Sequence, residues 1–257
     1  MLEMGEAAAF SEYLAGLPPE AGARRVPMAD GVALVCPPGR PIFNSIFGLG
    51  LTRPLRETEL DEVLDLYRRA GIEEYEFALA PLAQPAEALP GWLEARGLRL
   101  SSRRAKMYRR PGPVAPIATD LRVEVVGPRH ATAFARVIIE AFGSSEVMMP
   151  AFEACTGRPD WRCYAAFDGD ALVATGQLFV RDGVGWLGAG ATLPTHRRRG
   201  AQGAIMAARV SAATDLGCRW IITETGEDRP EEPNPSYHNM LRTGFQLAYH
   251  RPVWGPG

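Results

Sequence analysis

Three arginines and two glycines stand together in Thr195-His-Arg-Arg-Arg-Gly-Ala-Gln-Gly-Ala204, between an apolar strand-like stretch and a helical one. The first amides of a helix have no partner inside it, and the helix dipole adds positive potential at that end. Gly200 and Gly203 lack a Cβ, so backbone N–H groups can approach an oxyanion closely. Arg197, Arg198 and Arg199 add charge and paired donors. Strand, Arg-Gly loop and helix start together make a cradle for a pyrophosphate. A charged side chain at Gly200 is expected to abolish its use. The Walker pattern would need a lysine and a hydroxyl that this loop lacks. Gly183-Val-Gly-Trp-Leu-Gly188 matches G-x-G-x-x-G literally, but it opens a strand instead of joining strand to helix, so the dinucleotide reading fails.

Arg197-Arg-Arg-Gly200-Ala-Gln202 resembles motif A of the GCN5-related N-acetyltransferase superfamily, [QR]-x-x-G-x-[GA], through its first four positions. Gln202 departs from it, standing where Gly or Ala is usual. Ala191-Thr-Leu-Pro194 is similar to the strand end that precedes the motif. Asn234-Pro-Ser-Tyr-His-Asn-Met-Leu-Arg-Thr-Gly-Phe245 resembles motif B, a short helix ending in Gly-Phe. The resemblance covers about residues 120–254. It implies acetyl-CoA as co-substrate, no metal, and a small-molecule amine as acceptor. Backbone groups at Thr192 and Leu193 would hold the pantetheine and polarise the thioester. Arg197 and the amides of Arg198, Arg199, Gly200, Ala201, Gln202, Gly203 and Ala204 would hold the pyrophosphate. Asn234 and Asn239 would touch the pantetheine arm or the reacting end.

Acetyl transfer to an amine needs a proton removed, an oxyanion stabilised and a thiolate released. Glu224, at the end of Trp220-Ile-Ile-Thr, is the first candidate base, with pairing to an arginine as its alternative role. The usual tyrosine acid is replaced by Met240. Tyr237 lies about one helical turn earlier and could substitute, or could be a buried structural tyrosine. No cysteine has a histidine context that would support a covalent route.

The elements that must position these groups occur twice. Leu60–Arg69 has helical apolar spacing, Gly71 ends it, Tyr75–Ala80 reads as a strand, and Gly97 precedes strand-like Ala105–Tyr108. In the second half a helix over 203–216 ends at Gly217, Trp220–Glu224 is a strand, and Gly244 precedes Gln246–Tyr249. Apolar Gly-containing stretches, Phe47–Leu51 and Trp186–Gly190, precede the two helices. Such self-similarity predicts a duplicated unit. The expectation is a mixed α/β protein of two acyl-CoA N-acyltransferase-like domains, each a mostly antiparallel sheet flanked by helices. They would be 1–116, degenerate because Thr52–Glu59 replaces the cradle, and 117–257, joined across Pro111–Pro116.

Composition agrees with an ordinary globular protein: 257 residues, 46% hydrophobic, 23% charged, net charge −2. That charge provides no argument for nucleic acid or an anionic membrane. The acidic start, MLEMGEAAAFSEYL, lacks the order of a signal peptide, and no apolar run reaches membrane-spanning length. Cys36, Cys155, Cys163 and Cys218 show no metal or disulfide spacing. A cytoplasmic protein is expected, its oligomeric state open, a homodimer included. Three other functions stay in play: a silent CoA-binding regulatory module, a transferase of longer acyl groups, and an interaction protein. Phe142, Met148, Met149 and Phe152 are candidates for the acceptor site or for ordinary core.

Overall fold

The computed structural model describes residues 1–257. Its helices are α1 (Leu2–Leu14), α2 (Glu57–Arg69), α3 (Leu89–Glu94), α4 (Ala131–Phe142), α5 (Met149–Cys155), α6 (Ala201–Asp215) and α7 (Pro235–Arg242). Its first five strands are β1 (Arg24–Met28), β2 (Gly31–Val35), β3 (Ser45–Phe47), β4 (Glu76–Ala78) and β5 (Leu98–Arg109). The rest are β6 (Arg122–Val126), β7 (Trp161–Asp168), β8 (Ala171–Arg181), β9 (Val184–Thr192), β10 (Trp220–Gly226) and β11 (Gln246–Pro256). The stretch Phe47–Leu51 is strand only as far as Phe47, because Gly48 and Gly50 turn the chain at φ 77° and 71°.

All eleven strands form one sheet, in the order β1-β2-β3-β4-β11-β5-β10-β9-β8-β7-β6. Only β3–β4 and β9–β10 are parallel. Outward from the centre, one side runs β11-β4-β3 and the other β5-β10-β9, so the two halves answer each other strand for strand. They have exchanged last strands: β5 pairs with β10 of the second half, and β11 with β4 of the first. Two separate sheets, expected for 1–116 and 117–257, are therefore not what forms. Exchange satisfies strand edges that separate sheets would leave unpaired.

Alternation along the strands sends residues to two faces. On β7, Cys163, Ala165 and Phe167 join the core under α1, α4 and α5, while Tyr164 and Ala166 join the core under α6. In the first half, α2 and α3 cover the face opposite α1. All four cysteines are buried free thiols. No helix is long and apolar enough to cross a membrane.

Candidate active site

The parallel pairing of β9 with β10 stops at Leu187 and Thr223, where the Thr223 Oγ1 donates to the Leu187 carbonyl at 2.8 Å. Beyond that point β9 keeps only β8, and β10 only β5, so the sheet splays open. A bulge falls in β9 at the same place, with Ala189 at φ 45° and the register shifted opposite Thr175/Gln177. Behind it lies Arg209 of α6, 3% exposed, donating to the Gln177 and Gly188 carbonyls at 3.1 and 3.0 Å. No carboxylate pairs with it; burial lowers its pKa to about 10.

The Arg-Gly loop closes one end of the splay. Arg198 and Gly200 both take left-handed backbone, φ 64° and 81°. A Cβ on Gly200 would stand 2.2 Å from the Ala118 carbonyl oxygen, so that glycine is required by the fold itself. Residues 117–119 strap the loop from above: Thr119 Oγ1 donates to the Arg199 carbonyl at 2.7 Å, and Ile117 lies against Gly203. The first intrahelical bond of α6 runs from the Ala204 amide to the Gly200 carbonyl at 3.0 Å. Amides of Ala201, Gln202 and Gly203 precede it and remain for a ligand.

A cavity of 640 Å³ lies in front of these amides. Thr192, Arg197, Arg198, Gly200, Ala201, Gln202, Gly203, Asn234 and Asn239 all line it, nine of the twelve residues expected to bind the co-substrate. The other three do not. Leu193 gives its amide to the Val173 carbonyl at 3.0 Å, Ala204 gives its own to the helix, and Arg199 turns outward to Asp120 and Asp168. The unusual Gln202 is engaged with α7. Its Nε2 donates to Ser236 Oγ at 2.9 Å and its Oε1 accepts from Asn239 Nδ2. Asn234 caps α7, accepting from Ser236 N–H at 2.9 Å, and anchors it to β10 by donating to the Gly226 carbonyl at 2.8 Å.

A second cavity of 390 Å³ adjoins the first on the other side of the bulge. Phe142, half exposed at the end of α4, lines both. Phe152 is also on its wall, whereas Met148 is buried in the core. Glu224 lines this cavity but is not a free base. Its carboxylate meets Arg251 at 2.6 Å and both Lys106 and Arg104 at 3.5 Å. Burial alone would raise its pKa; Arg251, then Lys106 and Arg104, outweigh burial and hold it down at about 2. That is the arginine-paired alternative for Glu224, and it corrects the expectation of a base. Tyr237 lines neither cavity and packs against the cluster containing Met206, Met240 and Phe245, so the expected acid does not reach the site.

Sequence reasoning missed α1. Glu3, Glu6, Phe10 and Tyr13 recur at intervals of three, four and three, one inward stripe of a helix. Glu6 meets Lys106 at 2.7 Å and Arg251 at 2.6 Å, and Glu3 meets Arg251 at 2.7 Å. Arg104 pairs with Glu76 at 2.6 Å. Two atoms of this buried network have no partner, Glu6 Oε1 and Arg251 Nε.

The first half holds no comparable cradle. Asp30 of the β1–β2 turn fills the place of an anion at the β3–α2 loop, accepting from the amides of Gly50 and Thr52 at 2.8 Å each. Glu59 takes the Arg56 amide at 2.8 Å at the start of α2. Ala78, seven residues after Gly71, answers Glu224, seven after Gly217.

Residues 133–240 match the model of the acetyltransferase (GNAT) family. No curated protein matches the chain. Among solved structures, a GCN5-related N-acetyltransferase from Kribbella flavida is 21% identical, with a TM-score of 0.67 over 98% of this chain and 95% of that one. One from Sphaerobacter thermophilus is 17% identical, TM-score 0.61, over 88% and 80%. A tandem GNAT protein from the clavulanic acid biosynthesis pathway is 16% identical, TM-score 0.61, over 88% and 78%. The protein thus has the fold of the GNAT acetyltransferases, and its second half carries the stretch that matches the family.

Proposed function

We propose that the protein transfers an acetyl group from acetyl-CoA to a small primary amine by direct attack. The observation that carries this is the 640 Å³ cavity at the first turn of α6, where unbonded amides and two arginines face the end of the splay between β9 and β10. The pyrophosphate would sit on Ala201–Gly203 with Arg197 and Arg198 beside it, and the pantetheine would run along Gly190–Thr192 towards the bulge. There the neutral amine attacks the thioester carbon. The C–N bond forms, the C–S bond breaks, and the one proton lost by the attacking nitrogen ends, through solvent, on the departing thiolate to give free thiol. Arg209 contributes an unpaired positive charge behind the bulge, where the oxyanion would develop. The first half is read as a duplicated copy whose anion site is closed by Asp30; it supplies β5 to the sheet and walls to the acceptor cleft.

Calorimetric titration of acetyl-CoA into the wild type and into an Arg197→Glu/Arg198→Glu double variant tests the cofactor. Micromolar binding weakened at least about tenfold in the variant, roughly 1.4 kcal/mol, supports the reading. No binding to the wild type sinks it. Thiol release over an amine panel separates a transferase from a silent CoA-binding module, and a comparison of acetyl-, succinyl- and longer thioesters sets the acyl group.

A further inference from the structure

The 390 Å³ cleft has two kinds of wall. One is apolar and largely aromatic, with Phe10, Phe43 and Trp186 among its residues. The other is ionic, formed by Glu6, Glu76, Glu224 and Arg104. The network behind this second wall is one positive charge short. Its carboxylates are Glu3, Glu6, Glu76 and Glu224, four in number; its cations are Arg104, Lys106 and Arg251, three. Tyr249 adds only a neutral hydroxyl donor, to Glu3 at 2.7 Å. Tyr13, also on the cleft, spends its hydroxyl on Gln177.

A buried surplus charge is costly, so something must neutralise it. Burial, with the nearby Glu224 and Glu3 carboxylates, outweighs Arg251 and Lys106 at Glu6 and raises its pKa. Glu6 and Glu224 share Lys106 and Arg251 as their partners. Four carboxylates share three cations, and Glu6 is the one whose pKa is raised, so the balancing charge of the empty protein is assigned to a proton on Glu6. Glu6 is fully buried and its Oε1 has no partner. Arg251 Nε is also unpartnered, but Arg251 is not part of the cleft wall, whereas Glu6 is. A ligand in the cleft can therefore replace that proton with a positive charge of its own.

We propose that this cleft binds a small primary amine with a single positive charge on an apolar, aromatic-sized body, its ammonium group received by Glu6. One charge completes the network and a second is opposed, because exposed Arg40 stands at the mouth, held by its donation to the Phe142 carbonyl. The rings opposite favour an apolar body, and the one unpartnered polar atom among them is the buried Trp186 Nε1. On entry the ammonium pairs with the Glu6 carboxylate and the displaced proton goes to solvent. Phe142, common to both cavities, then lies between the bound amine and the co-substrate cavity. Only that last placement rests on the transferase reading; amine binding itself does not.

The test is calorimetric titration of 2-phenylethylamine into the full chain without acetyl-CoA, beside 2-phenylethanol and 1,4-diaminobutane. The amine is expected to bind at least tenfold more tightly than either control, and to release protons on binding. Glu6→Gln is expected to weaken it at least tenfold while acetyl-CoA still binds. Should that variant fail to fold, Ile42→Trp fills the cleft from a half-buried wall position and is expected to cause the same loss. Equal binding of the alcohol, tighter binding of the diamine, or undiminished binding in the variants would each overturn the proposal. So would a wild type that binds acetyl-CoA but not 2-phenylethylamine. Amine binding by a wild type that ignores acetyl-CoA would leave the cleft assignment standing and remove the transferase reading.

Discussion

Arg104 and Arg251 face each other as register partners on β5 and β11, each seven residues beyond the glycine that precedes its strand, Gly97 or Gly244. Two guanidinium groups side by side at the centre of a sheet repel, and the surrounding carboxylates make the arrangement stable. Arg251 is fully buried and holds Glu3, Glu6 and Glu224. Removing it leaves those carboxylates facing one another. Arg251→Met is expected to cost about 3–5 kcal/mol in urea unfolding. A loss under about 1 kcal/mol would mean the network is not a structural keystone.

Acid should weaken the fold through Glu224. Its carboxyl sits near 4.5 when unpaired and at about 2 in the folded chain. A depressed folded pKa stabilises above the unfolded value, and that contribution is lost as pH falls from there towards the folded value. Unfolding midpoints at pH 6, 4 and 3 should fall more steeply for the wild type than for Glu224→Gln. Parallel curves would remove the ion-paired account of Glu224.

Gly200→Ala should damage the fold before any ligand is considered. The new Cβ meets the Ala118 carbonyl at 2.2 Å in a left-handed backbone. A cost of about 1–3 kcal/mol is expected as a lowered melting temperature of the ligand-free protein. A charged residue at Gly200 is for that reason a poor probe of phosphate binding, and reversal of Arg197 and Arg198 is the cleaner one.

Tyr237→Phe should leave kcat within about twofold, because the hydroxyl lines neither cavity. Loss of a positioned general acid costs about 10²-fold or more. A drop of that size in steady-state thiol release would restore Tyr237 to the chemistry.

What the sequence by itself determined is local. The glycine-arginine loop and the helix that follows it are legible from spacing and from the freedom of Gly200, all within a few residues, although the helix starts at Ala201, two residues before the expected 203. Six of the nine predicted binding residues that share one cavity, Arg197, Arg198 and Gly200–Gly203, do so because loop and helix start are contiguous in the chain. The tertiary structure decided what depends on distant partners. Whether β5 and β11 close their own halves or trade places is settled by which edges remain unpaired. Glu3 and Glu6 read as a mere acidic beginning until Lys106 and Arg251, 100 and 245 residues away from Glu6, face them. Glu224 changed from base to ion-pair partner for the same reason. A carboxylate's proton affinity is set by the charges and solvent around it, and the fold alone brings those together.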